Sequence, residues 1–435
     1  MDRFLGEAAT GPAVLQIEGL IRTALFRKGA DVVGYLFQSV ADQIDATYTP
    51  VAGETRKGRE AIQGKCLFGG FPLQRDYYYS PMQGGHYPAD AALGLEAGHT
   101  PALVRLASLE GADETSFLKA EKHLLETGGI RMEARQIQRL VQRVGPAAQA
   151  WQQREYKPGQ ENQTPVPIMY ASADGTGVPM RKEELEGRAG KQADGTAKTR
   201  QAYLGCVFTQ HGRDEKGRPV RDWASTTYLT SMEGIETFGS MLRWEALRRG
   251  MAAAAKLVLL IDGASGLENM GLISFNNALQ IVDFYHALEH ASRVLVALLG
   301  RKEHPDFKRR RGQWAKRLLK NGVQELIASA REECAGDARA PAVEKELNYF
   351  VNNVQRMQYG TYRRHGYFIG SGVIEAGCKS VIGGRCKQSG MFWGKPGVEH
   401  ILALRCINAS QRDGEFWKHR LAQLAARRTS APRAA

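Results

Sequence analysis

The sequence predicts an α/β protein: a mixed-sheet core, an all-helical insertion ahead of its closing segment, and a mostly helical N-terminal region. Three observations carry this. Between residues 158 and 290, short apolar, β-branched runs alternate with helical periodicity. Two of those runs stop at an Asp followed by Gly, at Asp174 and Asp262. From His286 to about Tyr362 the pattern turns helical and basic, before Gly370-Ser-Gly372 opens a last segment.

Residues 13–46 repeat apolar side chains at helical spacing, with Leu15, Leu20, Ile21, Ala24 and Leu25 near one face. A polar, Gly-rich stretch follows from Thr49 to Gly70. Arg75-Asp-Tyr-Tyr-Tyr-Ser80 reads as a short strand, and Gly84-Gly85 as a turn. Thr115 or Ser116 then caps a helix that Gly128-Gly129 stops. A second helix carries Met132, Ile137, Leu140, Val141 and Val144 and is expected to end at Gly145-Pro146. It exposes Arg131, Arg135, Gln136, Gln138, Arg139 and Arg143. Helix, glycine turn, helix is the outline of a DNA-reading helix-turn-helix, with Arg135 and Arg139 as DNA contacts. It is equally the outline of a helical hairpin with a solvated basic face.

Beyond a Gln/Pro-rich linker at 158–167, Ile168 to Asp174 reads as a strand ending at a carboxylate. Strands at 202–209 and 224–230 follow, then a helix from about Ile235 to Arg249. Lys256 to Asp262 is a buried-strand run, again ending at Asp. Residues 278–285 give a fifth strand. Strand, strand, strand, helix, strand, helix, strand is the order of a ribonuclease-H-like domain.

Phosphodiester chemistry needs hard oxygen ligands for divalent metal. Two ions roughly 3.5–4 Å apart can activate the attacking oxygen and stabilise the leaving one. Adjacent parallel strands ending alike at Asp174 and Asp262 would set both carboxylates at one sheet edge. Glu375, behind the Gly-Ser-Gly turn, can enter from the side. The expected metal ligands and catalytic groups are therefore Asp174, Asp262 and Glu375. His286 is expected as an active-site neighbour and Asp283 as a structural one.

The residues also carry a resemblance. Ser172 to Met180, Leu204 to Gln210, Ser225-Thr-Thr-Tyr228 and Ile261-Asp-Gly263 resemble the core of insertion-sequence transposases of the ISKra family. So do Asp283 to His290, Gly370 to Lys379, Lys387 to Met391 with Trp393, and Leu402 to Arg405. The match runs in order over about residues 70–418. The resemblance implies DDE-type cleavage and strand transfer of transposon ends, with Asp174, Asp262 and Glu375 as the triad. Mg²⁺ is the implied metal, with Mn²⁺ able to substitute. Double-stranded DNA, as transposon end and target, is the implied partner, handled by a homodimer or larger assembly.

Glu375 follows Asp262 by 113 residues (375 − 262). In the related mutator-like transposases an all-helical insertion fills this gap. Its basic run, with Arg309, Arg310, Arg311 and Lys316, is read either as a DNA-backbone contact or as a solvated helix face. Lys379 is a candidate phosphate contact or a salt-bridge partner. Trp393 is read first as a core aromatic, and second as a platform for an unpaired base. Relatives often carry zinc-ribbon cysteines near the Tyr-Tyr motif; here only Cys66 lies close, and no zinc is expected.

Composition bounds the rest. The 435 residues hold 59 Lys plus Arg against 46 Asp plus Glu, a formal charge of +13 that favours a polyanionic partner. No apolar run is long enough to span a bilayer, no leader pattern opens the chain, and a cytoplasmic protein is expected. The six cysteines form no C-x-x-C pair, and no G-x-x-x-x-G-K-[ST] loop supports ATP hydrolysis. The expected organisation is an N-terminal, degenerate zinc-ribbon-like region at 1–105 and a helix-turn-helix-like segment at 106–157. The core's first part follows at 158–290, the helical insertion at 291–362, the closing core at 363–426, and a disordered tail at 427–435.

Overall fold

The computed structural model describes residues 11–429, apart from 83, 160–163, 191 and 193–194. Residues 430–435 of the expected tail, and 160–163 of the expected linker, lie outside the described residues. Two compact units emerge, one of residues 1–147 with 412–435, the other of residues 148–411.

The first unit begins with α1 (Gly11–Thr47). One face of this helix lays Ala30, Val33, Phe37, Ala41 and Ile44 on a hairpin of β1 (Thr55–Cys66) and β2 (Gly69–Ser80). Phe71 and Leu73 are fully buried there, each worth about 1.5–3 kcal/mol of transfer free energy. The Phe71 ring lies over Gly64, its cross-strand partner, where a Cβ would stand 2.6 Å from the ring. The hairpin corrects the polar-stretch reading of 49–70. β1 shows Arg56, Lys57, Arg59 and Glu60 largely to solvent, so ladder pairing with β2, and not an apolar pattern, holds it. Leu20, Ile21 and Leu25, read from the sequence as lying near one helix face, are exposed.

β3 (Gly84–His86), α2 (Pro88–Leu93) and α3 (Pro101–Asp113) follow. Ser116 caps α4 (Phe117–Gly128) by accepting from the Lys119 amide, and Gly129 ends it at a φ of 66°. α5 (Ala134–Gln153) does not stop at Pro146. Its buried stripe of Ile137, Leu140, Val141, Val144, Ala148 and Trp151 continues in phase, and that packing outweighs the one backbone bond a proline removes.

In the second unit β4 (Val166–Pro179), β5 (Thr199–Arg213), β6 (Pro219–Arg221) and β7 (Thr227–Ser231) precede α6 (Ile235–Arg248). Then come β8 (Ala254–Ile261), α7 (Ser265–Ser274) and β9 (Leu279–Val282). Across the sheet the order is β7-β5-β4-β8-β9, with β6 extending β5. β4 and β8 are parallel, as are β8 and β9, while β5 runs antiparallel to β4 and to β7. In order of appearance that is 3-2-1-4-5 with the second strand reversed, the ribonuclease-H-like sheet the element order predicts. One face carries Met169, Ala171, Ala173, Leu259 and Ile261 against α6 and α7, through Phe238, Met241, Leu242 and Met270. Strand alternation therefore turns Tyr170, Ser172 and Asp174 to the other face.

The fifth strand is shorter than expected: it stops at Val282, because Asp283 caps α8 (Phe284–Leu299). The helices α9 (Phe307–Leu318), α10 (Val323–Glu333), α11 (Ala340–Asn353) and α12 (Tyr359–Arg364) follow. The chain then returns to the sheet in α13 (Gly372–Gly377), prolonged by a π-helical turn over Cys378–Gly383, and in α14 (Lys395–Ala409). α15 (Asp413–Thr429) belongs to the first unit and carries the helix into the segment expected to be disordered. Among the described residues no helix is long and apolar enough to cross a membrane.

Candidate active site

Asp174 does not end its strand. β4 loses its parallel partner β8 after Ser172, but stays paired with β5 as far as Pro179. Asp262 follows the last residue of β8 directly. The register pairs Ser172 with Leu260, and carried two residues further it sets Asp174 opposite Asp262. Both carboxylates thus leave neighbouring parallel strands on the face away from α6 and α7. Each is half-buried and turned partly inward on its own backbone. Asp174 Oδ1 accepts from the Gly175 amide at 2.6 Å, and Asp262 Oδ1 from the Ala264 amide at 2.8 Å.

The closing segment covers this face. Phe368 stands edge-on to Tyr170 and Phe208, which stack at 4.9 Å. Further along, α13 lies so close to the sheet that a Cβ on Gly377 would come within 2.7 Å of Tyr228 and 2.9 Å of Leu204. Glu375 rides on this helix, and Cys378, one turn on, donates to the Asp174 carboxylate. Burial, and then the Asp174 charge, push that thiol up from its ordinary value. Lys387 reaches the Thr176 hydroxyl, two residues from Asp174.

Asp283 fixes where α13 begins. Its amide donates to Ile261 O at 2.8 Å, tying it to the end of β8. Its Oδ1 accepts from the His286 amide at 2.7 Å and from His286 Nδ1 at 3.2 Å. Its Oδ2 accepts from the Ser371 amide, and Ser371 Oγ donates to Glu375 Oε1 at 3.0 Å. The Phe284 amide adds a bond to Ile369 O at 2.8 Å. Burial alone would raise the Asp283 carboxyl, but the bonds from His286 and Ser371 outweigh it and hold the group below its usual range. The hydrogen bond to Asp283 raises the His286 imidazole to about 9; burial opposes this, and the charges of Asp283 and Asp262 add to it. His286 is a cation at neutral pH, with Nδ1 committed to Asp283.

Ligand atoms of Asp283, His286 and Glu375 lie within 4.8 Å of one another. Among the described residues, Asp174 and Asp262 do not join a group of three that tight. The three expected carboxylates therefore do not close into one group at that spacing among the described residues. Asp283 has both oxygens engaged, which makes it the scaffold and leaves Glu375 as the open carboxylate of that group. Asp174, Asp262 and Glu375 form no ion pair among the described residues. Hard oxygens of this kind, partly withdrawn from water and not neutralised by Lys or Arg, suit a divalent cation. A second group, Glu110, Glu114 and His123, is accounted for by the imidazole's own contacts, at 2.6 Å to Glu110 and 3.7 Å to Glu114.

The expected DNA contacts divide. Arg135 and Arg139 are exposed on α5, one turn apart. Lys316 and Lys379 are exposed as well. Arg309 pairs with Asp306 at 2.7 Å. Arg310 forks onto Glu333 and joins α9 to α10, so its charge is spent within the protein. Trp393 is held by backbone bonds to Pro179 and Arg181, and its indole N–H donates to Cys386 O at 3.1 Å, which makes it structural. Arg311 lines a cleft of about 1000 Å³ between α8, α9 and α11, together with Arg293, Lys302, Lys308 and Lys345 against Glu289 and Glu346. None of the five cations is in an ion pair among the described residues. Arg293 and Lys345 escape a sequence reading because they sit on α8 and α11, outside the basic run.

No protein-family model and no curated protein matches the chain. Among solved structures, the Drosophila P element transposase strand transfer complex aligns over 75% of this chain and 81% of that chain, with a TM-score of 0.26 and 10% identity.

Proposed function

We propose that the second unit is a metal-dependent polynucleotidyl transferase acting on DNA, the transposase of an insertion sequence like those of the ISKra family. The observation that supports the reading is that Asp174 and Asp262 each follow by two residues the last pair of the parallel ladder, Ser172 and Leu260, under a helix that carries Glu375 over the same face. Mg²⁺ held by these three carboxylates would polarise the scissile phosphate and lower the pKa of a bound water or hydroxyl. The chain's own residues do the rest. Asp283 and Ser371 orient Glu375. The His286 cation faces the same space and stabilises negative charge building on a phosphate oxygen. The cations of the α8–α9–α11 cleft, with Arg135 and Arg139, hold backbone phosphates.

The test is a labelled duplex bearing the element's own ends, incubated with the full chain and Mg²⁺. Joined products are expected. Nicked products alone would make this a nuclease on the same fold, and retention without cleavage a DNA-binding protein. Asp174→Asn, Asp262→Asn and Glu375→Gln are each expected to abolish cleavage and to weaken Mn²⁺ binding measured by calorimetry, while DNA retention survives. Full activity in any one of them removes that residue from the triad.

A further inference from the structure

α1 has two apolar faces, and the described residues pack against only one of them. Opposite the stripe that packs on the hairpin, Ile21, Leu25, Val32, Tyr35, Leu36 and Val40 are between 40% and 75% exposed. Isolated exposed apolar residues are ordinary, but six along one side of a helix about 55 Å long form a contiguous patch of the kind that marks an interface. The exposed area is on the order of 700 Å², close to the roughly 800 Å² per partner of a standard stable interface.

We infer that this face binds the same face of a second copy of the chain, with the two helices antiparallel. The argument for a second copy is that four of the six residues match their own reverse. Ile21 with Val40, and Leu25 with Leu36, share one midpoint between Ala30 and Asp31, so a two-fold axis there sets each residue against its counterpart. Charge selects the direction. Arg22, Asp42 and Asp45 are engaged within the chain by Thr127 O, Arg59 and the Asp76 amide, which leaves Glu18, Arg27 and Lys28 before the axis and Asp31 just beyond it. Antiparallel helices bring opposite signs together, and Lys28, which pairs with Asp31 of its own helix at 3.6 Å, also nears the partner's Asp31. Parallel helices would align like with like. The inference does not depend on the chemistry of the second unit.

Light scattering and sedimentation of the full chain, without DNA, should give twice the chain mass at micromolar concentration. Leu25→Asp or Leu36→Lys alone should weaken association by about 100-fold or more, because the symmetry applies each change twice. The double variant should dimerise again, because an antiparallel pair sets each new anion against a new cation, whereas a parallel pair sets like charges together. Recovery in the double variant also excludes misfolding as the cause of the single-variant loss. A monomeric native chain, a dimer indifferent to Leu25→Asp, or a double variant that stays monomeric each overturns the proposal. So does a native chain whose α1 amides gain exchange protection only when DNA is added, since that assigns the face to DNA.

Discussion

Asp283 is fully buried and accepts three hydrogen bonds, two from His286 and one from Ser371, 88 residues further on. Asp283→Ala strips a helix cap and leaves buried donors unmet, a loss of about 2–4 kcal/mol. Urea unfolding at constant m-value checks this, and cleavage should fail as well because Ser371 no longer aims Glu375. His290 acts in the opposite sense. Its ring lies flat on Tyr349, with centroids 3.6 Å apart, and burial pushes it down from 6.5 to about 4. Between those values the unfolded chain binds a proton that the folded chain does not. The stability His290 contributes is complete above about pH 6.5 and is lost as pH falls toward 4. His290→Phe keeps the stack and should flatten that slope, seen as urea midpoints at pH 5 and pH 7.5 that draw together.

At the scale of elements, the approach of α13 to the sheet depends on Gly377. Gly377→Val should drive Glu375 off the face, reducing cleavage by 100-fold or more in order of magnitude, with circular dichroism unchanged. Gly312→Ala, with open space around it, is the matched control. What the sequence reveals and what it hides divide along the same line. β4, β5, β8 and α6 are legible because buried strands are apolar and β-branched and the helix between them is periodic. β1 is not, since its side chains face water and only its backbone is committed. The extent of α5 is misread because Pro146 looks like a stop, while the stripe running through it is the stronger signal. Asp174 and Asp262 stand out by position, at the ends of apolar runs. The scaffolding role of Asp283 is only half legible: a cap to His286 can be read from spacing, but the bond to Ser371 belongs to tertiary structure. The same holds for Arg310, indistinguishable in sequence from its neighbours until Glu333 folds against it.

For the whole molecule, the proposed function makes phosphate binding by a surplus of 13 positive charges the main source of affinity, with the cleft between α8, α9 and α11 as one place where it would happen. Replacing Arg293, Lys302 and Arg311 together by Ala should lower the slope of log affinity against log salt by about 2–3, near 0.9 for each phosphate no longer neutralised. Arg310→Ala should leave that slope alone and cost about 1 kcal/mol of stability instead. The far position of Glu375 along the chain has a consequence for synthesis. A nascent chain can complete the sheet, with both aspartates in register, well before the ribosome reaches Ser371. Until that residue emerges the Ser371 bond to Glu375 cannot form, so on the proposed function a copy stalled before it is expected to hold DNA without cutting it.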